Sequence, residues 1–348
     1  MLARRPARPA LAGAHLSSAQ VSTTHANTTA LRVQDLHVSY RVHERGRHAR
    51  LQAVNGVTFT LETGETLGIV GESGSGKTTL ARALLRLTPA DSGTVDFSGQ
   101  SLLELDARAL RALRARLQMI FQDPHASLDP HMRIGAIVAE PLQVMRPQLD
   151  VPARRERVLA MMQRCGLSAD YASRYPHECS GGEAQRVGIA RALVIEPDVL
   201  ICDEPISSLD ASIRSQIANL LKDLQEQMHL SLIFIAHDLA AVRFSCDRVL
   251  VLYLGRVMEI AGRAALFDSP RHPYTRALIQ AAPIPDPAHA RAQRAPLQGE
   301  IPSPLHPPSG CVFRTRCPLA IERCAREVPQ LRQVGASEVA CHRAEELR

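Results

Sequence analysis

The sequence predicts an α/β fold in which a central sheet presents a phosphate-binding loop, and three observations support this prediction. Residues 71–78 are Gly-Glu-Ser-Gly-Ser-Gly-Lys-Thr, which fits the phosphate-loop spacing G-x-x-x-x-G-K-S/T. The apolar run 66–70 before the loop is typical of a buried strand, and residues 79–85 after it are typical of a helix. Residues 31–40 and 54–61 alternate like two strands that lead to the phosphate loop, which suggests an α/β sheet core.

The loop residues predict how phosphate groups would be held. Glycines let the backbone curl around an anion without Cβ clashes, and the N–H groups at the start of the next helix point at it. Lys77 is expected to reach the β- and γ-phosphates, and the Thr78 hydroxyl is a ligand for Mg²⁺. The nucleotide-binding candidates in this stretch are Gly71, Glu72, Ser73, Gly74, Ser75, Gly76, Lys77, Thr78 and Thr79.

Length and composition narrow the class of protein. The chain has 348 residues, of which 45% are hydrophobic, so it can bury the core of one large domain or two smaller ones. No run approaches the roughly 20 apolar residues of a membrane span. The net charge is +6 but the basic residues are scattered, and with 3% aromatic residues and no tryptophan a stacking platform for single-stranded nucleic acid is not expected. Because a phosphate-loop enzyme works where ATP is, we expect the eight cysteines to be reduced.

The composition also divides the chain. Residues 1–30 contain no acidic residue and no continuous apolar stretch of a secretory signal, which favours a disordered extension or a misplaced start codon. Residues 31–268 are predicted to form the nucleotide-binding domain, with a charged loop at 41–50. Helical runs without a convincing strand indicate a helical insertion over residues 125–178, and thus a helical subdomain of about 125–190. The proline-rich residues 269–348 are predicted to form a C-terminal extension.

Polar side chains follow three further strands of the predicted sheet. Four apolar residues at 199–202 precede Asp203 and Glu204, and such a carboxylate is where phosphate-loop ATPases hold Mg²⁺. We expect Asp203 to position the ion, directly or through water, and Glu204 to orient or deprotonate an attacking water. His237 and Gln122 also follow apolar runs, so they can reach the γ-phosphate and the metal or water, although either residue alone would be an ordinary polar group.

Ser180, Gly181 and Gly182 precede a helical run at 184–193. A serine followed by two glycines at a helix start predicts a second anion site, and the alternative is a capped helix after a turn. Two phosphate-binding helix starts in one chain suggest sites that two subunits share.

Over residues 31–341 these motifs resemble, in the family order, the ATP-binding subunit of an ABC transporter. The resemblance implies a P-loop NTPase core with an antiparallel β subdomain, and ATP and Mg²⁺ as cofactors. The catalytic residues would be Glu204, His237, Gln122 and Lys77, and the metal ligands Thr78, Gln122 and Asp203. The matching motifs are Walker A at 71–78, the Q-loop at Gln122, the signature at 180–183, Walker B at 199–204, the D-loop at 208–210 with Asp210, the switch His237 and the adenine-stacking Tyr40. The signature departs from the family at Cys179 and Glu183, where a bulky apolar residue and Gln are usual.

Several segments further resemble dipeptide/oligopeptide importer ATPases, a group that includes nickel and glutathione importers: residues 121–130, 139–142, 272–275, 299–304, 307–311 and 316–318. This resemblance implies a subunit on the cytoplasmic face of the bacterial inner membrane that powers peptide uptake. Its partners would be two membrane permease subunits, a paralogous ATPase subunit or a second copy, and a substrate-binding protein acting through the permeases.

Three alternatives to peptide import remain. One is the same role in nickel or glutathione import. Another is a soluble non-transport ABC ATPase acting on DNA or ribosomes, but neither tandem cassettes nor a coiled-coil insertion is present, so no nucleic-acid partner is expected. The third is a non-catalytic nucleotide-gated regulator, which Glu204 and His237 argue against.

Four cysteines lie near the C-terminus: Cys311, Cys317, Cys324 and Cys341. They could bind a [4Fe-4S] cluster, as some members of the resembled group are thought to do, and Pro318 after Cys317 is similar to ferredoxin-like runs. They could instead be reduced cysteines that pack a small core of the extension. Zinc is less favoured because no C-x-x-C spacing is present.

Overall fold

The computed structural model describes residues 29–44, 46–207, 209–281 and 299–347. The predicted extension 1–30 therefore lies outside the described residues, except for Thr29 and Ala30, which begin the first strand. The strands are β1 Thr29–Glu44, β2 Arg47–Glu62, β3 Thr66–Val70, β4 Ser92–Phe97, β5 Gln100–Ser101, β6 Leu117–Ile120, β7 Val199–Asp203, β8 Ser231–Ile235, β9 Arg248–Tyr253, β10 Arg256–Gly262, β11 Arg332–Val334 and β12 Ser337–Val339. The α-helices are α1 Lys77–Leu84, α2 Ala107–Arg114, α3 Ile134–Met145, α4 Val151–Arg164, α5 Gly181–Leu193, α6 Ala211–Met228, α7 Leu239–Ser245, α8 Arg263–Asp268, α9 Pro273–Ala281 and α10 Glu322–Arg326.

The larger sheet has the strand order β11-β12-β10-β9-β3-β8-β7-β6, and the strands from β9 to β6 run parallel. All five residues of β3, β7 and β8 are buried, as expected for parallel strands covered on both faces. In β7, Val199 and Ile201 belong to the core on one face, while Leu200 and Cys202 belong to the core on the other. The predicted α/β core is confirmed, with the carboxyl ends of these strands along one edge.

A four-stranded antiparallel sheet of order β2-β1-β4-β5 supplies the core on the first face. The predicted charged loop at 41–50 is wrong, because β1 continues to Glu44 and β2 begins at Arg47, with Val42 paired to Ala49. This end of the hairpin projects from the core and residues 41–44 alternate between exposed and half-buried. Without a buried face, these residues lack the apolar alternation that marks a strand in sequence.

Helices α3 to α7 contribute to the core on the opposite face. The helices α3, α4 and α5 pack against one another as the predicted helical insertion, joined by 3₁₀ turns at Ala169–Ser173 and Pro176–Glu178. Asp150 caps α4 by accepting a hydrogen bond from the backbone N–H of Ala153 at 2.8 Å. Among the described residues, no helix combines the length and apolar character needed to cross a bilayer.

The C-terminal segment is joined to the larger sheet. Strand β12 pairs antiparallel with β10, where Glu259 lies opposite Val339. Phe313 is fully buried, and its ring centroid lies 5.4 Å from that of Tyr253 and 5.2 Å from that of Tyr274. Most buried apolar residues of this segment up to Cys324 therefore belong to the main core, and only a small group around Val339 packs separately.

Candidate nucleotide-binding site

The phosphate loop connects β3 to α1 by a turn that only glycine can make. Gly76 has φ = 104°, and a Cβ at this position would lie 2.2 Å from the carbonyl oxygen of Ala53. Both the left-handed conformation and the close approach exclude a side chain. This turn directs the first backbone N–H groups of α1, and its positive end, toward the loop.

Lys77 is the first residue of α1 and is 6% exposed. Its Nζ donates hydrogen bonds to the carbonyl oxygens of Gly71 at 2.8 Å and Glu72 at 3.0 Å. Burial lowers the pKa of Lys77, while the carboxylates of Glu204, Asp203 and Glu72 oppose this change. Among the described residues, none of these carboxylates lies within ion-pair distance of Nζ. The ammonium group is therefore held in place by neutral acceptors and can bind an anion.

A cavity of about 360 Å³ opens beside the loop. Predicted residues that line it are Tyr40, Ser73, Gly74, Gly76, Lys77, Thr78, Thr79, Gln122 and Glu204. Further lining residues are Leu51, Gln52, Ala53, Leu254, Gly255 and Pro304. Gly71, Glu72, Ser75 and Asp203 lie outside this lining. The Tyr40 hydroxyl donates a hydrogen bond to Thr79 Oγ1 at 3.3 Å, so Tyr40 lies beside the loop.

Thr78 and Asp203 join α1 to the end of β7. The Thr78 hydroxyl donates a hydrogen bond to Asp203 Oδ1 at 3.1 Å. Burial raises the pKa of Asp203, which is 2% exposed, and the Thr78 hydrogen bond opposes this effect. Two oxygen donors at this spacing are about as far apart as neighbouring corners of an Mg²⁺ octahedron, roughly 2.9 Å.

Glu204 follows β7 in a left-handed backbone conformation with φ = 47°. Its N–H donates to the carbonyl oxygen of Ile235 at 3.0 Å. Its carboxylate Oε2 accepts a hydrogen bond from Gln122 Nε2 at 3.1 Å and lies 3.3 Å from His237 Nδ1. Such backbone strain is concentrated at functional sites, where the surrounding structure maintains it. Three residues predicted from separate strand ends are thus brought together.

The predicted second anion site lies at the start of α5, outside the lining of the cavity. Ser180 caps the helix, and its side chain accepts from the N–H of Glu183 at 3.4 Å. The Glu183 carboxylate in turn accepts from both the N–H and the hydroxyl of Ser180 at 2.8 Å, and from the Tyr171 hydroxyl. These hydrogen bonds lower the pKa of Glu183, that from Tyr171 most. Glu183, which stands where the family usually has Gln, therefore occupies the Ser180 hydroxyl by accepting its hydrogen bond.

Gly181 and Gly182 form the first turn of α5 and approach α6 and Leu209, which lies two residues before that helix. A Cβ on Gly182 would lie 2.8 Å from Ile213 Cγ2, and one on Gly181 would lie 3.5 Å from Leu209 Cδ2. Asp210 precedes α6 without making a side-chain cap. Ser208 of the predicted D-loop is not among the described residues.

The four C-terminal cysteines come together. Burial raises the pKa of Cys311 and Cys341 to about 11 each, and nearby Cys317 and Cys324 add to both effects. The sulfur atom of Cys341 accepts a hydrogen bond from the backbone N–H of Arg343 at 3.4 Å, and the backbone N–H groups of Phe313 and Leu319 oppose the rise in pKa at Cys311 and Cys317, respectively. Among the described residues, no three His, Cys, Asp or Glu side chains are arranged around a single metal ion.

Sequence reasoning missed the residues that the C-terminal segment brings to the phosphate loop. Arg316 and Tyr274 bind Glu72, and Pro304 lines the cavity. All three lie in segments that were recognised as similar to peptide-importer ATPases. Glu72 and Arg316 lie 244 positions apart in the sequence, and no local sequence pattern predicts that they are in contact.

Comparison with known proteins agrees with this geometry. The model of the family described as ABC transporter matches residues 54–207, and that described as oligopeptide/dipeptide transporter, C-terminal region, matches residues 258–324. The oligopeptide transport ATP-binding protein OppF of Escherichia coli is 49% identical over 332 residues, covering 94% of this chain and 99% of OppF. The chain belongs to the ABC transporter family.

Other ABC transporter proteins extend the comparison. OppF of Salmonella typhimurium is 53% identical over 85% of this chain and 89% of its own length. A putative peptide import ATP-binding protein of Brucella ovis is 53% identical over 84% of this chain and 92% of its own length. The dimeric ATP-binding cassette MJ0796, solved with ADP and Pi, has a TM-score of 0.61 at 28% identity and covers 67% of this chain and 98% of its own. CbiO1 of Clostridium perfringens has a TM-score of 0.60 at 30% identity and covers 69% of this chain and 91% of its own. The chain is thus an ABC ATPase that binds ATP.

Proposed function

We propose that this chain hydrolyses ATP to power the uptake of di- and oligopeptides, as a peripheral subunit on the cytoplasmic face of the bacterial inner membrane. The observation that supports ATP hydrolysis most directly is the position of Lys77, Asp203 and Glu204 around one phosphate loop. Peptide transport is supported by the names of the relatives and by the matching C-terminal family model. Membrane attachment would come through permease subunits.

The residues present fit Mg²⁺. Thr78 and Asp203 offer oxygen ligands 3.1 Å apart, and Gln122 lines the same cavity as Thr78. When bound, Mg²⁺ supplies positive charge to the β- and γ-phosphates. Lys77 adds a second positive charge from within the loop, and Tyr40 is placed to stack on the adenine ring.

Glu204 is the residue that activates water in this proposal. Its carboxylate accepts a proton or orients the attacking water, while Gln122 and His237 hold it in place through the contacts at 3.1 and 3.3 Å. Charge on the γ-phosphoryl group is balanced by Lys77 and by His237 when it donates a hydrogen bond. The chain itself thus supplies a base, two positioning groups and a cation.

A second ATPase chain would complete the site. Ser180, Gly181 and Gly182 lie outside the lining of their own cavity, which supports their use on nucleotide bound by a partner chain, with Asp210 beside that interface. The helical insertion would transmit closure to two permeases, and the exposed Val144 and Val151 on α3 and α4 suit an apolar contact. A substrate-binding protein would act through the permeases.

We also propose that Cys311, Cys317, Cys324 and Cys341 hold a [4Fe-4S] cluster with a structural role. The mutual proximity of the four thiols and the N–H···S hydrogen bond to Cys341 support a cluster. Arg256, Arg332 and Arg343 lie close to these sulfurs and would offset the negative charge of four thiolates.

The cluster is tested by anaerobic purification with iron and sulfide analysis and a visible spectrum. We expect about four irons per chain. A colourless, iron-free protein whose four cysteines can become serine without loss of stability would exclude it.

Substrate class is tested by uptake into the bacterium that carries this gene. Deletion should abolish uptake of a radiolabelled tripeptide, and the wild-type gene but not Glu204→Gln should restore it. Parallel assays with labelled nickel and glutathione measure the alternatives. If the deletion leaves peptide uptake intact but abolishes uptake of nickel or glutathione, the transported substrate is that one instead. A chain that copurifies with nucleic acid rather than with permeases would indicate a non-transport ATPase.

A further inference from the structure

We infer that the C-terminal segment is a working part of the nucleotide site, in which Arg316 is a positioning residue that holds the phosphate loop through Glu72. This inference rests on the proposed ATP hydrolysis and adds a determinant of nucleotide affinity from outside the cassette motifs. Residue 316 lies near the end of the second matched region, 258–324, whereas the loop lies in the first, 54–207.

Every polar group of Glu72 is engaged, two of them by the C-terminal segment. Its carboxylate accepts two parallel hydrogen bonds from Arg316, Nη1 to Oε2 at 2.6 Å and Nη2 to Oε1 at 3.0 Å. Its N–H donates to the Tyr274 hydroxyl at 3.0 Å. Its carbonyl oxygen accepts from Lys77 Nζ at 3.0 Å. A displacement of Glu72 would therefore disturb the lysine that is expected to bind the phosphates.

The pair between Arg316 and Glu72 is largely shielded from water. The Arg316 side chain is 4% exposed and that of Glu72 is 21% exposed. Tyr253 supports the guanidinium through its hydroxyl at 3.4 Å and through its ring, whose centroid lies 5.9 Å from Cζ. Bidentate guanidinium–carboxylate pairs are geometrically specific, and removal of one partner leaves a buried charge without compensation. The pair thus determines where the Glu72 carboxylate lies.

The charge of Glu72 explains why the position of its carboxylate matters for ATP binding. A carboxylate in a phosphate-binding loop repels the triphosphate, and this one is close enough to act on Lys77. Arg316 neutralises that charge and draws the carboxylate toward the C-terminal segment. Without Arg316, the carboxylate is free to compete with phosphate for the Lys77 ammonium.

The same segment also contributes to the wall of the cavity. Pro304 lines the cavity together with Tyr40. Two residues later, His306 Nε2 lies 3.2 Å from Glu44 Oε2 at the end of β1, the strand that carries Tyr40. The segment is therefore anchored on both sides of the cavity, at the phosphate loop by Arg316 and at β1 by His306.

The inference is tested on the full chain by titrating fluorescent ATP and ADP analogues into folded protein. Arg316→Gln should weaken ATP binding by roughly tenfold, and ADP binding by less because ADP carries less negative charge. Glu72→Gln in the Arg316→Gln background should restore most of the loss, since no carboxylate then remains unpaired. A contact that only stabilises the fold would lower the melting temperature of Arg316→Gln without changing the ratio of ATP to ADP affinity.

Arg323→Gln is the matched control, because it removes an exposed arginine that pairs with Glu327 in the same segment, and its ATP affinity should equal that of the wild type. Wild-type ATP affinity in folded Arg316→Gln would overturn the inference. If that variant does not fold, Arg316→Lys replaces it; it keeps the charge without the two-pronged contact and should bind ATP about threefold more weakly, and unchanged affinity would again overturn the inference. A wild-type chain that fails to bind ATP would refute the proposed function instead.

Discussion

Glu204 and Lys77 have different relations to the nucleotide cavity. Lys77 is nearly buried and its Nζ binds two carbonyl oxygens of the loop. Glu204 lies at the end of β7, where Gln122 and His237 contact its carboxylate from neighbouring strand ends. In the proposed reaction, Lys77 binds phosphate and Glu204 acts on water.

Substitution of these two residues should separate binding from turnover. Glu204→Gln keeps the size and the hydrogen-bonding capacity of the side chain but removes the base, so kcat should fall by roughly 10²–10⁴-fold with ATP affinity retained. Lys77→Ala should instead weaken ATP binding. The measurements are phosphate release and equilibrium binding of a fluorescent nucleotide, and normal turnover in Glu204→Gln would refute the role of the carboxylate.

At the scale of elements, both predicted anion sites lie at helix starts. The start of α1 requires glycine at position 76 because of its φ of 104° and the nearby Ala53 carbonyl. The start of α5 is held by a reciprocal capping box between Ser180 and Glu183. Backbone geometry shapes the start of α1, and side-chain hydrogen bonds hold the start of α5.

Gly76→Ala should destabilise the chain and abolish ATP binding. Its matched control is Gly99→Ala in the turn between β4 and β5, where φ is 81° but no atom lies within 4 Å of an added Cβ. Left-handed strain alone should cost the control about 1–2 kcal/mol, with ATP binding intact. Urea unfolding and nucleotide titration check both variants, and equal losses would show that the Ala53 contact is unimportant.

The capping box should make stability depend on pH. Because hydrogen bonds lower the folded-state pKa of Glu183, its carboxylate stabilises the chain above the unfolded pKa of about 4.3, and this contribution is lost as pH falls through the folded value. Wild type should therefore have a higher urea midpoint than Glu183→Gln at pH 7, with the difference shrinking below about pH 4. Glu156→Gln, at an exposed position on α4, is the control. A difference that stays constant with pH would contradict this account.

At the scale of the whole molecule, the chain combines an ATP-binding cassette with a C-terminal segment that pairs with β10 and shares the main core. Arg316, His306 and Pro304 bring that segment to the nucleotide cavity. The start of α5 lies outside the lining of this cavity, and in our proposal the molecule is half of a two-chain arrangement. Glu183 places a negative charge and a competing acceptor at that second site.

We therefore expect this chain to pair with a different, paralogous ATPase. The isolated chain should be mostly monomeric and weakly active, because the Glu183 carboxylate occupies the Ser180 hydroxyl and its negative charge disfavours phosphate at the α5 start. Light scattering with and without ATP, using the Glu204→Gln chain to retain nucleotide, measures the assembly. A tight ATP-driven dimer of this chain alone, with full wild-type activity, would instead indicate a homodimeric importer.

The sequence by itself determined the phosphate loop, the buried parallel strands and the acidic residues that follow them. These features depend on local geometry: glycine positions, runs of apolar residues and polar residues at strand ends. The convergence of Gln122, Glu204 and His237 could also be anticipated, because neighbouring parallel strands end at the same edge. The hairpin end at residues 41–50 could not, since its exposed residues show no periodicity.

Only the tertiary structure decided how the C-terminal segment meets the site. The contact between Arg316 and Glu72 joins residues 244 positions apart, and it exists because Phe313 packs against Tyr253 and Tyr274. Neither residue type nor spacing encodes such a pair, since an arginine near a cysteine and a glutamate in a glycine-rich loop are each compatible with many partners. Their contact follows from packing of the segment on the sheet, a property of the folded chain that local sequence patterns do not contain.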